Sequence, residues 1–206
     1  MISHINKFVF IHIPKCAGTS IDSSMFKFCD LYDETYSYRD IWEKYHKSEQ
    51  QKHESIRYYL KKQNLNDYFK FTFVRNPWDK ILSMYLFRQK EYNVYPMSFE
   101  RFVKVRVNRW NTLSKKHWKS NHNSIQYNWL CNRNGEMSMD FIGRFENLQE
   151  DFDTVCDKIG IPKQQLPHKN ATKHKHYTEY YDDETREIVA ERYAKDIEYF
   201  GYKFGE

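Results

Sequence analysis

Glycine and proline are scarce in this chain: 6 Gly and 5 Pro among 206 residues, where average usage would give roughly 14 and 10. That scarcity excludes collagen-like and low-complexity classes and argues against a linker-rich chain. Long apolar runs are missing too. No stretch approaches the roughly 18 consecutive apolar residues of a membrane helix, so no span is expected. The run FVFIHI near the N-terminus is too short for a signal-peptide core, and no small-residue cleavage site follows it. The 4 cysteines, Cys16, Cys29, Cys131 and Cys156, form no C-x-x-C pair and no finger spacing. They are too sparse for a disulfide scaffold and predict a reduced, cytoplasmic setting. None of the 9 histidines sits in an H-E-x-x-H pattern, and no metal is expected.

Aromatic bulk is plentiful, with 17 Tyr, 15 Phe and 5 Trp. Disordered chains are poor in such residues, and a chain of this length can bury about 70% of its unfolded surface. One compact domain over residues 1–206 is the expectation. The net charge of +5 conceals a segregation. Residues 101–122 and 163–178 together hold 11 of the 33 Lys+Arg and none of the 28 Asp+Glu, leaving 22 against 28 elsewhere. An acidic body with two basic segments points to anionic ligands, although a charge run alone is more often a solvated loop.

Residues 7–13 (KFVFIHI), 70–75 (KFTFVR) and 140–145 (DFIGRF) read as short buried strands. Each is followed by a helical pattern. Pro77 suits the first turn of the second helix. In the third, Leu148, Phe152, Val155, Cys156 and Ile159 recur at helical spacing, with Gly160 as C-terminal cap and Pro162 beyond it. A last helix is predicted over about residues 183–199, capped by Asp182, with Ile188, Val189, Tyr193 and Ile197 on one face. Strands alternating with amphipathic helices predict an α/β fold: a central parallel sheet flanked by helices.

Two constellations carry chemistry. In FVFIHIPKCAGTS (8–20), a strand feeds a tight loop, and a helix is predicted from about Thr19. Backbone N–H groups at a helix N-terminus favour an anion. Lys15 adds a charge, Thr19 and Ser20 add hydroxyls, and Gly18 permits close approach. The order differs from G-x-x-x-x-G-K-[ST], because the lysine precedes the glycine. On physics alone, an anion-binding loop and an ordinary strand-to-helix turn stand about even. In FTFVRNPWDKILSMY (71–85), Arg75 ends a strand and Ser83 lies two turns into the next helix. A guanidinium can grip a phosphate bidentately, and the serine can add a donor. The opposing reading is an Arg75–carboxylate pair and a Ser83 that merely faces outward.

IPKCAGTS resembles the 5′-phosphosulfate loop of sulfotransferases, in particular the carbohydrate group, whose loop runs roughly P-K-[TC]-[AG]-[GS]-[ST]-[ST]. Arg75 to Ser83 is similar to that family's 3′-phosphate motif, R-[ND]-P-x-[DE]-[RK]-x-x-S. DFIGRFENLQEDF, LPHKNATKHKHY and the C-terminal YYDDETREIVAERYAKDIEYFGYKF extend the resemblance, which is weakest over residues 30–69 and 92–135. It implies a P-loop-like fold and an enzyme that moves a sulfuryl group from 3′-phosphoadenosine 5′-phosphosulfate (PAPS) to a hydroxyl, on a carbohydrate above all. The implied nucleotide contacts are Lys15, Cys16, Ala17, Gly18, Thr19, Ser20, Arg75 and Ser83, with Asn170, Thr172 and Lys173 as lid contacts. Lys15 would also stabilise the leaving oxygen. His53 is the implied catalytic base, with Glu54 as the carboxylate alternative. His12 is read as strand-bound. The basic segment 101–122 suggests a glycan or another hydroxyl-bearing, anionic acceptor. No nucleic acid or membrane partner is expected, and the oligomeric state is open. The competing classes are a nucleotide-dependent kinase, which would need a magnesium-holding carboxylate, and a polyanion-binding module built on Trp110 and Trp118.

Overall fold

A computed structural model describes residues 1–30, 53–91, 97–107, 124–167 and 174–206. Asn170, Thr172, Lys173, Trp110, Trp118, most of the first basic segment and residues 168–173 of the second lie outside the described residues. The strands are β1 (Ile2–Ser3), β2 (Phe8–Ile11), β3 (Phe69–Val74) and β4 (Phe141–Arg144). The helices are α1 (Gly18–Met25), α2 (Ile56–Lys62), α3 (Pro77–Glu91), α4 (Phe99–Phe102), α5 (Tyr127–Leu130), α6 (Leu148–Ile159), α7 (Asp183–Arg192) and α8 (Ala194–Phe200). The described chain divides into two compact units, Met1–Val74 with Asn128–Lys169, and Arg75–Tyr127 with Asn170–Glu206.

The first unit holds one mixed sheet in the order β1-β2-β3-β4. β2, β3 and β4 are parallel, and β1 joins antiparallel at the edge. The expected central parallel sheet is present, and the three sequence-read strands are its parallel members; β1 is an addition. Parallel strands need cover on both faces, which explains their continuous apolar runs. Register puts Phe8, Phe10, Phe71 and Phe73 on one face. There they meet Ile21 and Met25 of α1 and Phe152, Val155 and Cys156 of α6. Gly143 is required by this packing, since a Cβ there would lie 2.6 Å from the Phe73 ring. Val9, Ile11, Thr72 and Val74, of opposite parity, are buried as well. Because β2 and β3 are parallel neighbours, both strands finish at the same carboxyl-terminal end of the sheet, the end where α/β sheets bind ligands.

The second unit packs Trp78, Ile81, Leu82 and Tyr85 of α3 against Phe99, Phe102, Tyr177, Val189 and Tyr193. Pro77 opens α3 as expected, and Gly160 closes α6 in the left-handed conformation, φ 72°. The predicted single helix over 183–199 is instead two helices, broken at Tyr193 (φ −111°, ψ 21°). The break accompanies two demands on buried side chains: Tyr193 fills the core, and Asp196 reaches backbone N–H groups of residues 126 and 127.

Asp182 caps α7 as expected. Its Oδ1 accepts from Thr185 N at 2.7 Å, and Thr185 Oγ1 accepts from Asp182 N at 3.0 Å, a reciprocal capping box. The Thr185 side-chain hydrogen bond comes first among the causes that hold the Asp182 carboxyl below its usual value of 3.8. A depressed carboxyl stabilises the fold above its unfolded pKa, and that contribution is lost as pH falls through the folded value. Asp182→Ala should therefore lower Tm at pH 7, and the gap to wild type should close as melts are repeated at pH values below about 3.8.

Candidate functional site

The loop between β2 and α1 departs from ordinary backbone at two positions. Lys15 (φ 69°) and Ala17 (φ 60°) are both left-handed without being glycine. Each costs roughly 1–2 kcal/mol, and such strain concentrates at ligand-binding sites. Left-handed residues let successive N–H groups converge on one side, the geometry of an anion-binding nest. Ala17 is also the N-cap of α1, with no side-chain cap, and its carbonyl accepts from Ser20 N at 2.9 Å and Ile21 N at 3.2 Å. The helix thus starts at Gly18, one residue before the expected Thr19, and presents its positive end to the loop. Thr19 is half-buried and Ser20 buried at the start of α1.

Gly18 is needed for a reason the sequence did not show. A Cβ there would lie 2.1 Å from Cδ2 and Nε2 of the His12 ring. That ring is buried, and its Nδ1 lies 2.6 Å from Oδ2 of Asp22, itself buried on α1. His12 therefore stands just past the end of β2 and ties the strand end to the helix across the loop. The only sequence signal was chemical: a histidine within an apolar run and an aspartate beside Ile21 on the buried side of α1.

His53 arrives at the same place from a distant part of the chain. Its Nδ1 lies 3.0 Å from the backbone oxygen of His12, and its ring stands edge-on to the His12 ring at 4.5 Å. Trp129 stands edge-on to His53 at 6.4 Å. A carbonyl oxygen can only accept, so Nδ1 carries the hydrogen. In neutral His53 the lone pair is then on Nε2, the tautomer a proton acceptor requires. Glu54 is buried beside it in sequence, and Ser55 follows as N-cap of α2.

In the second unit, Arg75 is the first residue past β3. It is buried, and its Nε donates to Asp79 Oδ2 at 2.7 Å. The carboxylate pair anticipated as the bland reading exists. That contact is made through Nε, at the side of the guanidinium nearest its own stem. Asp79 belongs to the same R-N-P-W-D stretch that carries the motif. Ser83 is half-buried on α3.

All four cysteines are buried and reduced. Burial pushes the Cys29 thiol up to about 12 and the Cys156 thiol up to about 11. Cys16 sits in the loop with its Sγ 3.6 Å from the Pro14 oxygen. Among the described residues, no group of three or more His, Cys, Asp or Glu could hold a metal ion. No helix of the described chain is long and apolar enough to cross a membrane.

Comparison with known proteins gives this geometry a family. A model of the sulfotransferase family matches residues 1–203. The chain is 36% identical over 110 residues to an uncharacterized protein of Archaeoglobus fulgidus, an alignment covering 53% of this chain and 82% of the relative. It is also similar to the crystal structure of a sulfotransferase from Alicyclobacillus acidocaldarius, at 15% identity and a TM-score of 0.43, over 95% of this chain and 79% of that one. The family match spans nearly every residue: the protein is a transferase by class and belongs to the sulfotransferase family.

Proposed function

We propose that the protein transfers a sulfuryl group from PAPS to a hydroxyl of a carbohydrate acceptor. The observation that carries this reading is the loop after β2. In a chain of this family, two left-handed non-glycine residues, a lysine and a helix N-terminus converge there. That donor set suits a doubly charged phosphosulfate better than a neutral ligand. When bound, PAPS supplies an activated sulfuryl group and departs as adenosine 3′,5′-bisphosphate.

The chain's own residues supply the rest. The N–H groups of residues 16–19 and the hydroxyls of Thr19 and Ser20 hold the 5′ end. Lys15 places its ammonium where charge grows on the departing oxygen. Arg75 and Ser83 hold the 3′-phosphate, and Asn170, Thr172 and Lys173 are the further nucleotide contacts of this reading. His53 Nε2 takes the acceptor's proton. The basic segment that begins at Arg101 receives the acceptor, an anionic glycan by charge. The family model runs through both compact units, which supports treating residues 1–206 as one sulfotransferase domain.

Calorimetry with adenosine 3′,5′-bisphosphate tests the nucleotide reading. Wild-type protein should bind it, and Lys15→Ala should weaken binding by about tenfold, the loss of one charge-assisted contact. No binding by wild type at millimolar ligand would end the sulfotransferase reading for this chain. A labelled-PAPS transfer screen over glycans, run with and without a magnesium chelator, then identifies the acceptor. A strict metal requirement would favour a kinase instead.

A further inference from the structure

The second unit contains a buried polar assembly that the reaction does not call for directly. Gln126 is wholly buried, and its side-chain amide grips both peptide groups of Arg75. Gln126 Oε1 accepts from Arg75 N at 2.9 Å, and Gln126 Nε2 donates to Arg75 O at 2.9 Å. Paired N–H and C=O bonds to one residue are what a neighbouring strand provides, but β3 has ended at Val74. Gln126 continues the pairing for one further residue, and that residue is the arginine. The amide cannot be flipped, because the other orientation would set donor against donor and acceptor against acceptor.

Gln126 is held in turn by Asp196, whose carboxylate is also fully buried. Asp196 Oδ2 accepts from Gln126 N at 2.8 Å and Oδ1 from Tyr127 N at 2.8 Å, with Gln126 Nε2 3.4 Å from Oδ2. Burial raises the Asp196 carboxyl above its usual value, opposed by these donors and by the charge of Lys80. Lys80 anchors the neighbouring segment through its Nζ to the Ser124 oxygen at 3.0 Å. Buried polar clusters of this kind are rarely better for stability than apolar side chains of equal volume. What they add is a defined position, and here the position defined is that of Arg75.

We infer that Gln126 and Asp196 are positioning residues that fix the Arg75 backbone so that its guanidinium meets the 3′-phosphate of the nucleotide. The inference rests on the proposed nucleotide reading and deepens it. Asp79 steers the side chain through Nε, and Gln126 fixes the peptide from which it springs. Displacing either by a fraction of an ångström degrades a bidentate contact, whereas the 5′ end of the nucleotide is gripped by a separate loop.

The test compares two nucleotides that differ only in the group Arg75 would bind. Dissociation constants for adenosine 3′,5′-bisphosphate and adenosine 5′-monophosphate are measured by calorimetry on wild type, Arg75→Ala, Gln126→Met and Gln126→Glu. Wild type should prefer the bisphosphate, and Arg75→Ala should abolish the preference. Gln126→Met, of similar volume, should weaken the bisphosphate about tenfold and leave the monophosphate within about twofold. A merely structural role would weaken both nucleotides alike. Gln126→Met with the wild-type preference intact, or with equal losses for both ligands, overturns the inference while sparing the nucleotide reading. A wild type that does not distinguish the nucleotides, or an Arg75→Ala that still does, overturns the 3′-phosphate reading and the inference with it. Should both Gln126 variants fail to fold, hydrogen exchange on wild type decides. The Arg75 amide should exchange only through global unfolding, and fast exchange overturns the clamp.

Discussion

His53→Ala should lower kcat for sulfuryl transfer by about 10²- to 10⁴-fold, the usual worth of a positioned general base. Affinity for adenosine 3′,5′-bisphosphate should stay within about twofold. The structure gives the reason for this split. His53 bonds through Nδ1 to the His12 carbonyl, which commits Nε2 to the accepting tautomer, and His53 is not among the residues proposed to hold the nucleotide. His53→Gln is a useful companion: it can keep the bond to His12 but has no titrating nitrogen, so it should be as slow as His53→Ala. Its pH–rate profile should lack the ascending limb that a histidine base would give the wild type. An unchanged kcat in His53→Ala would remove this residue from the chemistry and bring Glu54 forward as the base.

The second large effect is one of stability. Gly18→Ala should cost about 2–4 kcal/mol, because its Cβ would enter a ring that has nowhere to go. The clash is 2.1 Å, and a flexible side-chain end could evade it. The His12 ring is not such an end, since it is buried and bound to Asp22 at 2.6 Å. Evasion means breaking that pair or moving the start of α1. Denaturant melts of Gly18→Ala, His12→Ala and the double variant form a cycle. The double variant should be at least about 1 kcal/mol more stable than the sum of the single losses, because removing the ring removes the clash. Strict additivity would show that His12 is not what makes glycine necessary at this position.

These two expectations have different origins. That the loop holds Lys15, Gly18 and Ser20 was legible in the sequence, because a strand, a tight turn and a helix start are all local events. So were Pro77 at the head of α3, Gly160 at the end of α6 and Asp182 before α7. Capping and turn rules operate within about four residues, and four residues is a distance a sequence displays. Arg75 at the end of a strand was read the same way. The left-handed conformations of Lys15 and Ala17 were not, since neither is a residue type that announces positive φ.

What the sequence could not display is which distant residues the sheet brings together. Asp22 is 10 residues from His12, and His53 is 41. Gln126 is 51 from Arg75 and 70 from Asp196. Nothing in the spacing of those residues marks them as partners, and His12 read as an ordinary member of a strand. The single helix read over 183–199 failed for a related reason. Periodicity favours continuing the helix through Tyr193, but the core position of that ring and the reach of Asp196 toward residues 126 and 127 break it. By itself the sequence determined the chemistry available, a lysine loop and an arginine turn on parallel-strand units. The tertiary structure decided how each is held: His12 and Asp22 across the loop, Gln126 and Asp196 behind the arginine. Those choices lay outside local reading because a buried polar group takes whatever partner the packing of the whole chain delivers.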